Sequence, residues 1–248
     1  MVTFGRDDDL RGAEFVGADL QGARFVGSDL AEVVMRGVDV AGMEIDSPWL
    51  FDGSSLWVNG VDVVPLVDAA LDRRFPGREQ RRAGDPDGVR AAWAALERTW
   101  AATVERVPAG TADVSVGDEW SFAQTLRHLV MATDTWLGRG ILRLDQPYHP
   151  IGLPNAGAGR HGLDLSVFAA GTPPYEEVLE ARADRMRMVR DFLATVTADE
   201  LAAPGTDPWN PEHQVSVLDC LHVILEEEWE HHRYAVRDLD ALGSQSLG

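Results

Sequence analysis

The chain has 248 residues, 45% of them apolar, and a formal charge of −19 at pH 7. This length and composition are typical of a globular protein with one full core and an appendage. The negative charge repels nucleic-acid phosphates and anionic lipids, and no apolar run approaches the length of a membrane span, so neither nucleic acid nor a membrane is expected as a partner.

Lysine is absent, and all 22 basic residues are arginines. This excludes chemistry that needs a lysine side chain, such as Schiff-base catalysis or a phosphate-binding P-loop. The N-terminus lacks a basic stretch followed by an apolar one, so no signal peptide is predicted. The single cysteine, Cys220, excludes an internal disulfide, and the chain is expected in the cytoplasm.

A five-residue period marks the first section, residues 1–50. Large apolar residues stand at every fifth position: Leu10, Phe15, Leu20, Phe25, Leu30, Met35, Val40 and Ile45. A small residue precedes most of them by two positions. A period of five fits neither a helix nor a strand. The pattern resembles the pentapeptide-repeat family, which implies a short right-handed quadrilateral β-helix of about two coils.

Residues 51–85 form a connecting section. Apolar residues alternate around Asn59-Gly60, a dipeptide that favours tight hairpin turns, and predict a small hairpin. A short helix is predicted from Pro65 onward. The stretch "PGREQRRAGDPDG", residues 76–88, is rich in proline, glycine and charge and is interpreted as a linker.

Residues 86–248 show helical spacing of apolar residues. Four long helices are predicted: about 87–106, one starting at Ser121, about 174–196 and about 215–242. Ser121 followed by Gln124 is a capping-box signature. A long connection from Asp145 to Pro174 joins the second and third helices, and loops of this length are usually functional or disordered. The chain is therefore predicted to be mainly α, with a four-helix bundle as its main domain.

The last helix carries paired carboxylates and paired imidazoles in "LEEEWEHHRYAVRDL". Glu228 and His232 lie within the apolar stripe of this helix, whereas Glu227 and His231 lie toward its edge. Residues four apart project from the same face of a helix, as two metal ligands from one helix require. The stripe favours Glu228 with His232, and Glu227 with His231 is the alternative register.

A third ligand is expected from another helix. His128, on the second predicted helix, has the small residues Thr125 and Ala132 at helical spacing, which leaves room beside it. Two neutral imidazoles and a carboxylate match the ligands of open catalytic zinc sites. The candidate site is His128, Glu228 and His232, although spacing alone fits a salt-bridged helix surface with a hydrogen-bonded histidine equally well.

The segments "EWSFAQTLRHL" and "VSVLDCLHVILEEEWEHHRYAVRDL" resemble the DinB/YfiT-like superfamily of four-helix-bundle metalloproteins. That family carries one histidine early in its second helix and two ligands four apart on its last helix. The resemblance covers about residues 86–243 and implies a divalent metal, zinc or nickel, bound by His128, Glu228 and His232. Three histidines are usual in the family, and a glutamate ligand occurs in its maleylpyruvate isomerase branch.

The resemblance extends to bacillithiol- and mycothiol-dependent transferases and implies a metal-dependent enzyme. Its metal would lower the pKa of a bound thiol or water, with mycothiol as a cosubstrate that is transferred to a small electrophile or isomerises it. Two alternatives stay open, a metal-dependent hydrolase and a non-catalytic stress or binding protein with a vestigial site. A small-molecule substrate is expected, and a homodimer is left open.

Three further residues are candidates for a functional role. His149 and His161 lie in the long connection, where they would cover the metal end of the bundle or simply face solvent. Cys220 stands on an apolar helix and is interpreted as a small buried hydrophobic residue rather than a nucleophile.

Overall fold

The computed structural model describes residues 3–5, 7–51, 53–155, 157–210 and 212–245, and the side chains of residues 161 and 245 lie outside that description. The chain divides into two compact units, Met1–Asp46 and Ser47–Gly248. Within the described residues, the helices and the two short strands all belong to the second unit.

The first unit repeats a turn every ten residues. The backbone N–H of the fourth residue of each turn donates to the carbonyl of the first, at 3.0, 2.9, 3.2 and 3.0 Å for Ala13, Ala23, Val33 and Met43. The third residue of each turn has a positive φ, which favours glycine. Glycine occupies this place in three of the turns (Gly12, Gly22 and Gly42), and Glu32 occupies it in the other with φ 62°.

Aspartate side chains cap these turns. Asp19, Asp29 and Asp39 each accept the backbone N–H of the residue two places later, at 3.0, 2.9 and 3.0 Å. Such local bonds stabilise a turn without a neighbouring strand. One turn therefore recurs for every two five-residue repeats of the sequence.

The predicted hairpin and short helix are present at the start of the second unit. Strands β1 (Trp57–Val58) and β2 (Val61–Asp62) pair antiparallel. The two turn residues between them have positive φ, 51° for Asn59 and 80° for Gly60, as the tightest hairpin turns require. Helix α1 (Val64–Arg74) follows.

The stretch interpreted as a linker is instead folded. Arg78–Arg82 forms a short 3-10 helix, and the side chains of Arg78 and Arg81 are buried. Both guanidinium groups donate to Asp68 of α1, at 2.8 and 2.6 Å, and Arg81 also lies 3.3 Å from Glu226. Burial of a charged side chain requires such partners. The linker interpretation is therefore wrong, because these residues fasten α1 to the last helix.

Four long helices form the bundle: α2 (Pro86–Glu105), α3 (Phe122–Thr133), α4 (Tyr175–Thr195) and α6 (Val217–Gln245), with the short α5 (Ala198–Ala202) before the last. Helices α2 and α3 each pack against both α4 and α6. The bundle core is one cluster of buried apolar residues. The prediction of a mainly α chain with a DinB-like bundle after the repeat section is confirmed. No helix within the described ranges is long and apolar enough to cross a membrane.

Helix α3 lies at the centre of this arrangement. It begins with the predicted capping box, in which Ser121 Oγ accepts the N–H of Gln124 at 3.3 Å and Gln124 Oε1 accepts the N–H of Ser121 at 2.9 Å. Every residue of α3 except Gln124 is buried. The helix continues as a π-helix, Asp134–Ile141, which the sequence pattern did not predict.

The long connection is a compact loop packed on α3. It contains two 3-10 turns, Ala158–His161 and Leu165–Val167. Its apolar side chains form a small cluster of their own with an α3 residue, consisting of Met131, Tyr148, Ala158 and Leu163. The N–H of Ala169 donates to the carbonyl of Pro150 at 2.8 Å and closes the base of the loop. The described residues of this segment thus form a closed loop with its own small apolar cluster.

Candidate metal centre

One carboxylate and two imidazoles meet between α3 and α6. His128 comes from α3, Glu227 and His231 come from α6, and one ligand atom of each lies within 4.8 Å of the other two. Glu227 Oε2 lies 3.4 Å from Nε2 of His128 and 3.5 Å from Nδ1 of His231. Among the residues that the structure describes, no other group of three potential side-chain ligands meets these distances.

A loop carbonyl determines which nitrogen of His128 carries the proton. Nδ1 of His128 lies 3.1 Å from the carbonyl oxygen of Leu153. A carbonyl only accepts, so Nδ1 of the neutral imidazole is the donor and Nε2 keeps its lone pair. Nε2 is the atom near Glu227. A ring nitrogen available for coordination, with the other held by a backbone carbonyl, is the usual state of a metal-binding histidine.

His231 is neutral, and the atom that it turns toward the Glu227 carboxylate is Nδ1 rather than Nε2. Its Nδ1 donates to the backbone carbonyl of Glu227, one turn earlier, at 2.9 Å, which leaves the lone pair on Nε2. Burial and the neighbouring His128 lower the pKa of His231 to about 4. Burial raises the pKa of Glu227, but His128 and His231 together outweigh it and hold that pKa below its ordinary value. The centre therefore combines a neutral His231 imidazole with an ionised Glu227 carboxylate at pH 7.

Trp120 covers one side of the two imidazoles. Its ring centroid lies 4.8 Å from that of His128 and 6.1 Å from that of His231, and the two imidazoles stack 4.7 Å apart. The residue before it, Glu119, accepts a hydrogen bond from Arg237 of α6 at 3.2 Å. This contact connects the segment before α3 to α6 and keeps the indole over the imidazole pair.

In the structure His128 lies beside Glu227 and His231, the alternative pair, and not beside Glu228 and His232, the pair preferred from the sequence. Glu228 is 1% exposed, and both its oxygens accept from Arg182 of α4, at 2.6 and 2.5 Å. His232 is 4% exposed, and its Nε2 lies 2.9 Å from the hydroxyl of Thr103 on α2. The apolar stripe of α6 marks the direction of α2 and α4, whereas His128 approaches from α3, so the structure places Glu228 and His232 away from His128.

His232 is a core histidine whose donor is already used. The Thr103 hydroxyl donates its proton to the carbonyl of Thr99 at 2.9 Å, so the hydroxyl oxygen accepts from Nε2–H of His232. Burial and the charge of Arg106 lower the pKa of His232 to about 4. His232 therefore stabilises the α2–α6 contact in its neutral form.

A family model described as the DinB superfamily matches residues 92–235, which is more than half of the chain. The chain belongs to the DinB superfamily. A model of pentapeptide repeats matches 8 copies over residues 9–42. Comparison with curated proteins and with solved structures finds no match. The DinB match includes all three residues of the candidate centre, His128, Glu227 and His231.

The other candidates lie outside the centre of this DinB domain. His149 is half-buried in the loop. Its backbone N–H donates to the Asp134 carboxylate at 2.8 Å, and its ring Nδ1 accepts the backbone N–H of Ile151 at 3.2 Å. The side chain of His161 lies outside the described part of the chain. Cys220 is buried, as predicted, and burial raises its pKa to about 11, which disfavours the thiolate.

Sequence reasoning missed two partners of the candidate centre and the partner of Glu228. The Leu153 contact uses a backbone carbonyl, which no side-chain pattern encodes. Trp120 lies outside any periodic segment. Arg182 did leave a signal, because it stands at helical spacing between the buried Val178 and Val189 of α4. An arginine within a buried stripe predicts a buried carboxylate partner, which here is Glu228.

Proposed function

We propose that the DinB domain binds one divalent metal ion through His128, Glu227 and His231 and uses it to activate a small nucleophile. The observation that carries the proposal is the 3.4 Å approach of His128 Nε2 to Glu227 Oε2. Since the proton of His128 is on Nδ1, both facing atoms are hydrogen-bond acceptors. A lone pair and a carboxylate oxygen at this distance favour a cation or an added proton between them.

The donor set fits zinc or nickel. Two neutral imidazoles and one carboxylate form a common catalytic zinc set that leaves a position for water or substrate, and nitrogen and oxygen donors also suit nickel. The low pKa of His231 keeps its imidazole available, because a metal ligand must be unprotonated. When bound, such an ion lowers the pKa of a thiol or water and supplies a nucleophile near neutral pH.

The chain's own residues prepare the centre for this task. The carbonyls of Leu153 and Glu227 hold His128 and His231 with their lone pairs on Nε2. Trp120 covers one side of the imidazole pair and limits the access of water. The Glu227 side chain is 34% exposed, against 8% for His128, so the substrate is expected to approach from the side of Glu227.

The nucleophile that we infer is a low-molecular-weight thiol such as mycothiol, and the reaction is its transfer to a small electrophile or an isomerisation of that electrophile. Membership of the DinB superfamily supports this choice. The alternatives are hydrolysis by activated water and a non-catalytic binding role. A thiol route requires that the thiol binds where the metal is held, and hydrolysis does not.

Elemental analysis of protein purified without chelator or histidine tag tests the metal proposal. We expect about one equivalent of zinc or nickel, and its loss in Glu227→Gln and in His231→Gln. His213→Gln is the matched control, because His213 is 61% exposed and pairs with Asp207 instead. Wild-type protein that stays free of metal after incubation with zinc and nickel contradicts the proposal. Loss of metal only in Glu228→Gln and His232→Gln would show that these two residues bind the metal instead of Glu227 and His231.

A further inference from the structure

Arg127 holds the base of the long loop with a single buried guanidinium group. It precedes the histidine ligand on α3 and is 5% exposed. Its Nε donates to the carbonyl of Ile151 at 2.8 Å, and its Nη1 donates to the carbonyl of Gly171 at 3.4 Å. These carbonyls stand at the beginning and the end of the closed loop. The fixed fork of the guanidinium therefore keeps the two sides of the loop base together.

The same loop base controls the contact to His128. Leu153 comes two residues after Ile151, and its N–H donates to the carbonyl of Arg127 at 3.1 Å. Its own carbonyl accepts from Nδ1 of His128, also at 3.1 Å. Arg127 thus fixes the two residues that lead to this acceptor, Ile151 through its guanidinium group and Leu153 through its backbone carbonyl. The acceptor, in turn, selects the proton position of the neighbouring histidine.

The alternative proton position would block the centre. If the proton of His128 moved to Nε2, that N–H would donate to Glu227 Oε2, 3.4 Å away, and the lone pair would move to Nδ1. The carboxylate would then be bound internally, and the histidine would have no free nitrogen toward it. The Leu153 carbonyl disfavours this state, since it would face a lone pair instead of a donor.

We propose that Arg127 is a positioning residue for the metal centre, which keeps the Leu153 carbonyl on Nδ1 of His128 and thereby keeps Nε2 free to coordinate. The metal consequence rests on the proposed function, whereas the proton position in the metal-free protein does not. Burial of a guanidinium is costly, although the negative charge of Asp113 offsets part of the cost, and apolar packing alone would hold a loop. This cost is explained if Arg127 must hold the carbonyls of Ile151 and Gly171 at defined positions.

The test compares Arg127→Met, which keeps the length of the side chain without its donors, with Arg127→Lys, which keeps the charge but lacks the fork. Arg143→Met is the matched control, because Arg143 donates to the carbonyl of Pro204 and does not touch the loop base. Long-range proton–nitrogen NMR of metal-free protein reports which nitrogen of His128 is protonated. Competition with a chelator gives the zinc Kd.

We expect the wild type and Arg143→Met to carry the proton on Nδ1, and Arg127→Met to shift it toward Nε2. Zinc should bind about 10–100-fold more weakly to Arg127→Met, with a smaller loss in Arg127→Lys. If Arg127→Met fails to fold, the comparison rests on Arg127→Lys, and the same two readouts apply.

The two possible failures are distinguishable. Unchanged proton position and unchanged zinc Kd in both Arg127 variants overturn the positioning role while the metal site stands. A shifted proton position in a chain whose wild type binds no metal supports the positioning role and overturns the proposed function instead.

Discussion

The Nη2 atom of Arg182 donates to both carboxylate oxygens of Glu228, at 2.6 and 2.5 Å. Both side chains are buried, and the contact joins α4 to α6. Successive residues on a helix are rotated by roughly 100°. With Glu228 fixed on α4, Glu227 is turned toward α3, where His128 lies. The buried ion pair is therefore what sets which glutamate of the doublet belongs to the candidate centre.

Loss of Arg182 should destabilise the bundle strongly. Burial raises the pKa of Glu228, and the contact with Arg182 is the largest of the effects that oppose it. Arg182→Met leaves the carboxyl group buried without its partner, and we expect the free energy of unfolding to fall by about 3–5 kcal/mol. Urea unfolding at pH 7 measures it. The double variant Arg182→Met with Glu228→Met should recover much of the loss, and a single variant within 1 kcal/mol of wild type would contradict the assigned role.

The two glutamate–histidine pairs show how far the sequence alone could go. Four-residue spacing was enough to find a metal-binding pattern on α6, because both pairs share it. The choice between them depended on where α3 lies relative to the apolar stripe, which is a property of the packed bundle. Arg182 is the sequence feature that distinguishes the two pairs, because this buried arginine on α4 binds Glu228 and leaves Glu227 for the candidate centre.

Helices were predictable where local rules act, and irregular parts were not. The capping box of Ser121 and Gln124 located the start of α3 because it depends on neighbouring residues only. The stretch Arg78–Arg82 has the composition of a linker, but Arg78 and Arg81 are buried and form ion pairs to Asp68, ten and more residues away. Composition does not report such distant partners.

The stability of metal-free protein should depend on pH through two buried histidines. Burial lowers the pKa of His231 and His232 to about 4, against about 6.5 in the unfolded chain. Between these values the unfolded chain binds protons that the folded chain does not. The free energy of unfolding is therefore highest above pH 6.5 with respect to these two groups. It falls as the pH falls toward 4, by up to about 1.4 kcal/mol per pH unit for each histidine.

Urea unfolding at several pH values between 5 and 7 tests this dependence. His232→Gln should reduce the slope of unfolding free energy against pH by roughly the contribution of one histidine. His213→Gln should leave the slope unchanged, because that side chain is 61% exposed. An equal slope in wild type and His232→Gln would mean that burial of His232 does not oppose its protonation.

Glu32→Gly should tighten one turn of the repeat unit. Glu32 has φ 62° at a place where the equivalent turns have glycine, and its turn has the longest hydrogen bond of the four, 3.2 Å from Val33 N to Leu30 O. A left-handed conformation is unfavourable for glutamate and free for glycine. We expect slower hydrogen exchange at Val33, by about two- to fivefold, which corresponds to about 0.5–1 kcal/mol. Gln21→Gly, in the turn that already has Gly22, should not slow exchange at Ala23.

Thiol binding should depend on His128 if the proposed function includes thiol activation. Calorimetry of zinc-treated wild type and of His128→Ala, each titrated with mycothiol, measures this directly. We expect at least tenfold weaker binding to the variant, because the thiol is held where His128, Glu227 and His231 converge, and His213→Gln should match the wild type. Equal binding to wild type and variant would show that the thiol is held elsewhere. Absence of binding to either would favour hydrolysis, for which the same three residues need only water as the nucleophile.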